Sequence, residues 1–439
     1  MRNKSFAINN FDRTKQQLLI WGSRFSSCSF LDNHQYTTTL QQVECLLGVG
    51  RRYAVKANAG KALQELDSFL EKHKGKWLFG HLAYDLKIET EEVLSTHPAQ
   101  TGFPDLYFFV PETVVQLQAA EMIVSSFDTD PETVFNDISS VHFNEHSSVS
   151  IGEIQSRITR QEYLDTIGHL HDHILRGDCY EINYCQEFFA DAVVIDPPAL
   201  YKQLCDLSPN PFSCYYRLGQ SHLLCASPER FLMKKEERIY SQPIKGTSPR
   251  YPNNSHLDNT SKEQLQANTK ERSENVMVVD LVRNDLSRIC REGSVKVEEL
   301  FGVYSYPNVH QMVSTVSGLV KEEMSFTDII KASFPMGSMT GAPKKRVVEL
   351  IEKYEPFRRE LFAGSVGYIS PGGDFDFNVV IRSIFYSEDN QRLSFMAGSG
   401  ITWYSNAEKE YDECMLKAAA IRKLLEGNET LDSTISTKK

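Results

Sequence analysis

The chain has 439 residues, of which 41% are apolar and 24% are charged, and this composition is ordinary for a globular protein with a large core. The formal net charge of −11 and the absence of a basic run argue against a nucleic-acid-binding protein. No run approaches the length of a membrane span, and the first residues lack the apolar core of a signal peptide, so we expect a soluble, cytoplasmic protein.

The first 145 residues mix short helical and strand patterns, and we treat 1–145 as one region. The spacing of apolar residues predicts helices at Leu40–Leu47 and Ala62–Leu70. Strands are predicted from Trp77 and over Leu106–Leu117, with Pro111 at an edge or a bulge. The polar, serine-rich stretch near 127–158 predicts a linker, which we place at 146–159.

From residue 160 the helix and strand patterns are clearer, and we treat 160–428 as a second region and 429–439 as a tail. Helices are predicted at 161–176, 261–291, 341–354 and 407–425. Strands are predicted at 179–189, from His222 to a turn at Ser227-Pro228, and at 304–320. Further strands joined by hairpins at 370–374 and 388–391 lie before the last helix. The nine cysteines are scattered without a Cys-x-x-Cys pair, which favours reduced thiols.

The stretch Pro243-Ile-Lys-Gly-Thr247 carries a candidate nucleophile. Pro243 stops the preceding strand, and Gly246 removes the side chain that would screen Lys245. A lysine amine that is partly desolvated loses its proton more readily and can attack an electrophile. The alternative is a surface lysine in a turn, and these five residues alone do not exclude it.

Carboxylates on two predicted helices are candidate metal ligands. Glu410, Glu413 and Lys417 share one helical face, and two carboxylates one turn apart can hold a hard cation. A solvated Glu413–Lys417 pair is the alternative. Glu274 begins an apolar helical stretch, where it is either a helix-start charge or a directed ligand. A pair such as Glu274 and Glu413 suits Mg²⁺, which takes one or two protein carboxylates.

Two further features point to an anionic ligand. Arg382 lies in Phe377–Phe385, which reads as a strand that is apolar on both faces, so this arginine needs a carboxylate or phosphate partner. That partner is either a ligand or an internal Asp or Glu. The amides of Ala397-Gly-Ser-Gly400 offer a cradle for an anion, although a plain turn explains the glycines equally well.

Taken together, these segments resemble the chorismate-utilising enzymes, which include anthranilate synthase component I, aminodeoxychorismate synthase component I and the isochorismate synthases. The resemblance covers about residues 160–425 in the family's order and is looser in the N-terminal region, where Gly80–Lys87 carries it. The matching segments are Ser227-Pro-Glu-Arg, Pro243-Ile-Lys-Gly-Thr, Glu274-Asn with Asp280–Asp285, Gly341-Ala-Pro-Lys, Gly364-Ser-Val-Gly-Tyr, Ile381-Arg, Ala397-Gly-Ser-Gly and Glu410-Tyr-Asp-Glu.

The resemblance implies an α/β (α+β) fold in which two antiparallel sheets pack as a sandwich with helices outside. It implies that Lys245 is a nucleophile and Glu229 a general acid, and that Mg²⁺ binds Glu274 and Glu413, with Glu410 holding a metal-bound water. It further implies substrate-binding roles for Gly246, Thr247, Ser338, Arg382, Gly398, Gly400 and Lys417.

Three positions distinguish the branches of the family. Anthranilate synthases carry alanine at the position of Lys245, whereas aminodeoxychorismate synthases carry this lysine. Gln186 stands where isochorismate synthases place a water-activating lysine, and Gln311 stands where anthranilate synthases have a histidine, although His310 is adjacent. We therefore expect an enzyme that aminates chorismate to 4-amino-4-deoxychorismate, on the path to 4-aminobenzoate and folate.

The expected ammonia source is a glutamine amidotransferase on a separate chain. The alternatives are an anthranilate synthase and, more remotely, a non-catalytic chorismate-binding subunit. The set of Glu229, Lys245, Glu274 and Glu413 weighs against the latter, because a binding module needs neither an acid nor a nucleophile.

Overall fold

The computed structural model describes residues 1–36, 40, 44–143 and 151–426. The strands are β1 (Arg2–Ala7), β2 (Ser27–Asp32), β3 (Cys45–Val49), β4 (Tyr53–Ala57), β5 (Leu78–Leu82), β6 (Leu106–Val110), β7 (Thr113–Gln118), β8 (Glu121–Ser126), β9 (Gln155–Ser156), β10 (Glu181–Ala190), β11 (Phe212–Leu218), β12 (Ser221–Ser227), β13 (Arg230–Lys235), β14 (Arg238–Gln242), β15 (Ile244–Pro249), β16 (Lys296–Ser305), β17 (Val309–Leu319), β18 (Gly341–Ala342), β19 (Ser365–Ile369), β20 (Phe375–Asn378), β21 (Ser383–Ser387) and β22 (Arg392–Thr402).

The helices are α1 (Phe11–Gly22), α2 (Ala62–Lys72), α3 (Lys87–Thr90), α4 (Pro131–Ser139), α5 (Arg160–Leu175), α6 (Pro197–Leu207), α7 (Ser255–Ala267), α8 (Thr269–Ile289), α9 (Phe326–Ser333), α10 (Lys344–Tyr354) and α11 (Ala407–Glu426), with 3₁₀ turns at Tyr84–Leu86 and Gly337–Met339. Among the helices of the described residues, none is both long enough and apolar enough to cross a bilayer.

The strands form two sheets in which all strand pairs are antiparallel. The first sheet has the order β1-β8-β7-β3-β2-β11-β12-β21-β22-β10-β18, with β9 paired to β10. The second sheet has the order β15-β17-β14-β13-β20-β19-β5-β6-β4, with β16 paired to β17. Helix α8 packs against β15 and β17, and α11 packs against β22. The predicted fold class, two antiparallel sheets combined with helices, is confirmed.

The two sheets contact each other face to face through buried side chains. His81 Nδ1 on β5 lies 3.0 Å from the Tyr216 hydroxyl on β11, so a hydrogen bond joins the sheets inside the core. Gly48 on β3 lies against the ring of Phe79 on β5, and a Cβ on this glycine would come within 2.6 Å of that ring. Close packing of this kind fixes how the sheets lie relative to each other.

Three of the places where the chain passes from one sheet to the other bear on the predictions from the sequence. Pro111 lies in the crossover from β6 to β7, not within a strand. Glu229 lies between β12 and β13. Arg382 lies between β20 and β21, in the left-handed region with φ +51°, so the prediction of one continuous strand there was wrong. The run reads as a strand because Val379 and Val380 are fully buried at the crossover.

Of the other helix predictions, some are confirmed and one is wrong. The helix at Ala62 is confirmed as α2, and the last predicted helix as α11. The helix predicted from Leu40 is wrong where it is described, because Cys45–Val49 is strand β3. All five residues of β3 are buried, and a short apolar run does not separate a buried strand from a helix. The long helical region at 261–291 is divided into α7 and α8 at Asn268, whose side chain caps α8.

Both sheets combine strands from the two predicted regions, since β2 pairs with β11 and β5 pairs with β19. The division into 1–145 and 160–428 stays a prediction. The polar stretch at 127–158 contains α4 and β9, which its composition did not indicate. Residues 146–150 of the predicted linker, residues 427 and 428 and the predicted tail at 429–439 lie outside the described residues.

A buried ion pair fixes β10, the strand that contributes to the site described below. Arg359 pairs with Glu355, and both side chains are only 1% exposed. The Arg359 guanidinium also donates to the carbonyl oxygens of Asn183 on β10 and Met339 in the 3₁₀ turn, while Glu355 accepts from the Cys185 amide. Because each charge is hydrogen-bonded, the desolvation cost of the pair is offset, and β10 is tied to the turn that carries Ser338.

Candidate active site

Lys245 lies at the start of β15, on the edge of the second sheet, and its side chain is 10% exposed. Gly246 follows with φ +89°, a conformation that favours glycine, and the pairing of β15 with β17 shifts register here. Lys245 Nζ donates a hydrogen bond to Glu181 Oε1 on β10 of the first sheet. Glu181 is 3% exposed. The alternative of a surface lysine in a turn was therefore wrong.

Opposing influences act on the pKa of Lys245. Burial lowers it, whereas the carboxylates of Glu181, Glu274 and Glu229 raise it, and the net effect places it above the usual lysine value. Glu181, which accepts a hydrogen bond from Lys245, was not among the site residues expected from the sequence. A lysine whose pKa is raised in this way carries a proton near neutral pH, and an ammonium group has no electron pair for a nucleophilic attack.

Gly400 makes room for this ion pair. A Cβ on Gly400 would lie 3.1 Å from both Glu181 Oε1 and Lys245 Nζ, and 3.7 Å from Glu274 Oε2. Gly398, two residues earlier, would place a Cβ 2.2 Å from the carbonyl oxygen of Tyr184 on β10. Both glycines lie inside β22, so the turn considered from the sequence was wrong. Their role in binding an anion stays a prediction.

Glu229 is a buried carboxyl group in the crossover between the sheets. Burial raises its pKa to about 7, while the hydroxyl of Ser338 and the charge of Lys245 act in the opposite direction. A carboxyl group with this pKa is partly protonated near neutral pH, which is what a general acid requires. Ser338 lies in the 3₁₀ turn at Gly337–Met339 and is also buried.

Arg382 has no side-chain hydrogen bond or ion pair among the described residues. Burial lowers its pKa, while Tyr306 and Glu229 act in the opposite direction. The alternative of an internal carboxylate salt bridge was therefore wrong within the described part of the chain. A half-buried guanidinium without an anion is costly, so Arg382 is a strong candidate to bind an anionic ligand.

The three expected metal ligands are divided between α8 and α11. Glu274 Oε1 and Glu410 Oε2 are buried and have no hydrogen-bond partner among the described residues. The Lys270 ammonium lies between these carboxylates, 3.0 Å from Glu410 Oε1 and 3.7 Å from Glu274 Oε1. Glu413 is 40% exposed and pairs with Lys417 at 2.8 Å, as the solvated alternative expected.

No group of three or more His, Cys, Asp or Glu side chains arranged to hold a metal occurs in the part of the chain that the structure describes. The donor chemistry nevertheless fits Mg²⁺, because buried carboxylate oxygens without hydrogen-bond partners on neighbouring helices are hard ligands. Because the support for magnesium is this chemical fit alone, magnesium binding at these residues stays a prediction.

The remaining expected ligand contacts surround the same region. Lys417 Nζ donates to the carbonyl oxygen of Gly398 at 3.0 Å, which joins α11 to β22. Thr247 is exposed on β15 opposite Gln311. Gly246 lies close to Glu271, since a Cβ on this glycine would come within 2.9 Å of Glu271 Oε2. The structure brings these elements to one end of the sandwich.

The comparison with known proteins identifies the family. Residues 27–423 match the family described as chorismate binding enzyme. The chain belongs to the chorismate binding enzyme family.

Two relatives in this family carry the same name. The chain is 40% identical over 272 residues to aminodeoxychorismate synthase component 1 of Escherichia coli, covering 62% of this chain and 59% of that protein. It thus spans less than two thirds of that relative's length. It is 33% identical over 367 residues to aminodeoxychorismate synthase component 1 of Bacillus subtilis, covering 80% of this chain and 77% of that protein.

Solved structures support the fold. Anthranilate synthase component I from Streptococcus pneumoniae superposes with a TM-score of 0.74 at 24% identity, covering 89% of this chain and 95% of that chain.

Gln186, His310 and Gln311, which were expected from the sequence to separate the branches of the family, are buried. The Gln186 side chain contacts Cys414 and Met415 of α11 and carries no basic nitrogen that could activate water. His310 lies 2.8 Å from Ser305 Oγ and 3.2 Å from Asp258, so its ring is already engaged by protein partners. The expectation that Lys245 is the position that decides the branch stays a prediction.

Glu181 and Lys270 were not identified from the sequence as residues of the site. Glu181 begins a strand whose ten residues are almost all buried, and a buried charge requires a partner. This requirement is the signal in the sequence that could have identified Glu181. The sequence does not show which residue is the partner, because Lys245 lies 64 residues away in the chain and on the other sheet.

We predict that Glu229 holds a proton near neutral pH in metal-free protein. Infrared difference spectra should show a carboxylic acid band that disappears as the pH rises through about 7. Because burial raises the pKa of Glu274 to about 7 as well, the spectra of Glu229→Gln and Glu274→Gln must each be compared with wild type. A wild-type band that persists unchanged in Glu229→Gln would contradict the assignment.

Proposed function

We propose that the chain is an aminodeoxychorismate synthase component I, which converts chorismate and ammonia into 4-amino-4-deoxychorismate. The observation that carries this proposal is the buried Lys245 at the site of a chorismate binding enzyme, next to the acid Glu229. A lysine inside the pocket supplies a nucleophile that a direct amination at C2 does not need. The product is a precursor of 4-aminobenzoate for folate.

Chorismate is a dicarboxylate, so cations must hold it. The free guanidinium of Arg382 is available for one carboxylate, in the bidentate manner that this group favours. Lys417 and the amides near Gly398 and Gly400 bind the other end of the molecule in this proposal. In this proposal the substrate ring is also contacted by Ser338, Gly246 and Thr247.

Magnesium is the proposed cofactor, and Glu274 and Glu413 would hold it, with Glu410 holding a water bound to the metal. When bound, it neutralises and orients the ring carboxylate. The buried oxygens of Glu274 and Glu410 without hydrogen-bond partners support this proposal. The Lys270 ammonium, which lies between those two side chains, must then move aside.

The chemistry follows from the two reactive side chains. The neutral amine of Lys245 attacks C2 while the C4–O bond breaks, and Glu229 gives its proton to the departing hydroxyl, which leaves as water. Ammonia then attacks C4, the C2–N bond breaks, and the lysine nitrogen leaves with the electron pair. The net reaction is an amination of transaminase type with loss of water.

A glutamine amidotransferase on a separate chain is the proposed source of ammonia. The name component 1 of the two relatives supports a second component. All nine cysteines are free and buried, which fits a reducing compartment, so we place the reaction in the cytoplasm.

Product identity tests the proposed function. Incubation with chorismate, ammonium and Mg²⁺ should yield 4-amino-4-deoxychorismate by mass spectrometry and chromatography against standards. Lys245→Ala should abolish this product and shift residual amination to C2, giving an anthranilate-type product, whereas Lys235→Ala, on an exposed strand end, should behave as wild type. Anthranilate from the wild-type protein, or no turnover, would contradict the proposal.

A second experiment tests the metal. Glu413→Gln should weaken Mg²⁺ binding by at least tenfold in calorimetry and lower turnover, because one negative ligand is lost. Glu408→Gln is the matched control, since Glu408 lies in the first turn of the same helix and pairs with the exposed Arg160. Equal Mg²⁺ affinity in both variants would remove Glu413 from the ligand set.

A further inference from the structure

Glu181 makes the most direct contact with the proposed nucleophile, yet the chemistry above gives it no role. Its Oε1 atom accepts a hydrogen bond from Lys245 Nζ, and both side chains are nearly excluded from solvent. A carboxylate buried in this way costs free energy unless it is paired, and a buried ion pair is by itself weak evidence for a stabilising role. The position of the pair beside Gly400 places it in the wall of the site.

The backbone of Glu181 is fixed more firmly than that of Lys245. Strand β10 is paired on both sides at this residue, with Thr402 of β22 and Ala342 of β18. Lys245 instead lies at a register shift on the edge strand of the other sheet. The carboxylate is therefore the rigid partner, and the lysine side chain is oriented by it.

We propose that Glu181 is a positioning residue for Lys245, which holds the lysine nitrogen in the site and accepts one of its protons as the nitrogen attacks the substrate. This inference rests on the proposed function. It assigns the step that the ionised state of Lys245 requires, since an ammonium group has no electron pair with which to attack.

The other carboxylates near Lys245 are less suited to accept this proton. Glu229 must carry its own proton for the leaving hydroxyl. Glu274 lies against Lys270, and its second role is metal binding. Glu181 has the hydrogen bond along which the proton moves, so no rearrangement of the protein is needed.

The step is balanced in protons and electrons. One proton passes from the Lys245 ammonium to Glu181, and the freed electron pair forms the C2–N bond as the C4–O bond breaks and Glu229 protonates the oxygen. When ammonia adds at C4, the C2–N bond breaks and the neutral amine takes the proton back from Glu181. Glu229 regains its proton from solvent. The sum is chorismate, ammonia and one proton giving the aminated product, as its ammonium form, and water.

The test uses Glu181→Gln in the full chain with ammonia and Mg²⁺. The amide keeps the size of the side chain and an oxygen that accepts a hydrogen bond, but it cannot take a proton. We expect kcat for 4-amino-4-deoxychorismate to fall about 100-fold or more while KM for chorismate changes less than threefold. A variant within threefold of wild-type kcat, or a loss that lies in KM alone, would overturn the proposal.

Glu187→Gln is the matched control. Glu187 lies on the same strand and is equally buried, but its partners are Arg157 and Arg392. Its loss should lower thermal stability without lowering kcat more than threefold. A 100-fold fall in kcat for this variant as well would show that any lost carboxylate on β10 disturbs the site, and would overturn the specific role of Glu181.

Glu181→Asp keeps the proposal testable if the amide variant does not fold. Aspartate keeps the proton acceptor but at a longer distance from Lys245. If Glu181→Gln folds, the kcat of Glu181→Asp should be at least tenfold above that of Glu181→Gln. If Glu181→Gln does not fold, the kcat of Glu181→Asp should be at least tenfold below that of the wild-type protein. Wild-type rates would contradict the positioning role. A wild-type protein that makes no 4-amino-4-deoxychorismate would instead refute the proposed function, so the two failures are distinguishable.

Discussion

The site depends on one buried ion pair that joins the two sheets. Lys245 comes from the edge of the second sheet and Glu181 from β10 of the first, so their contact forms only when the sandwich is assembled. Close packing of the sheets and the Glu355–Arg359 pair behind β10 hold that contact in place. The position of the lysine nitrogen is therefore a property of the whole fold and not of the glycine turn beside it.

The charge balance around this pair explains why a cation is expected. The carboxylates at this end of the sandwich are Glu181, Glu229, Glu271, Glu274, Glu410 and Glu413, and the cations are Lys245, Lys270, Lys417 and Arg382. A dicarboxylate substrate adds two more negative charges in a partly desolvated space, where charges interact strongly. Protonation of Glu229 removes one of these negative charges, and the proposed divalent cation would offset two more. The same surplus raises the pKa of Lys245, which makes a proton acceptor beside it necessary.

Local signals in the sequence predicted the elements, whereas contacts between the sheets lay beyond them. Helix α2 follows from apolar spacing, and the antiparallel class follows from the family resemblance. Strand β3 was misread because its short apolar run has no periodicity to read. Arg382 was placed in a strand because nothing in its neighbours shows that the chain changes sheets there. Glu181 could be recognised as a charge in a buried strand, but its partner required the assembled fold.

The most direct test of the central claim is a crystal structure of the Glu229→Gln variant with chorismate and Mg²⁺ bound, in which loss of the acid stalls the reaction. Lys245 Nζ should lie about 3–3.5 Å from C2 of the ring, with Glu181 still hydrogen-bonded to it, because a nucleophile must be held at near-attack distance. Chorismate bound with C2 turned away from Lys245, or bound outside this end of the sandwich, would contradict the assignment of the lysine as the attacking group.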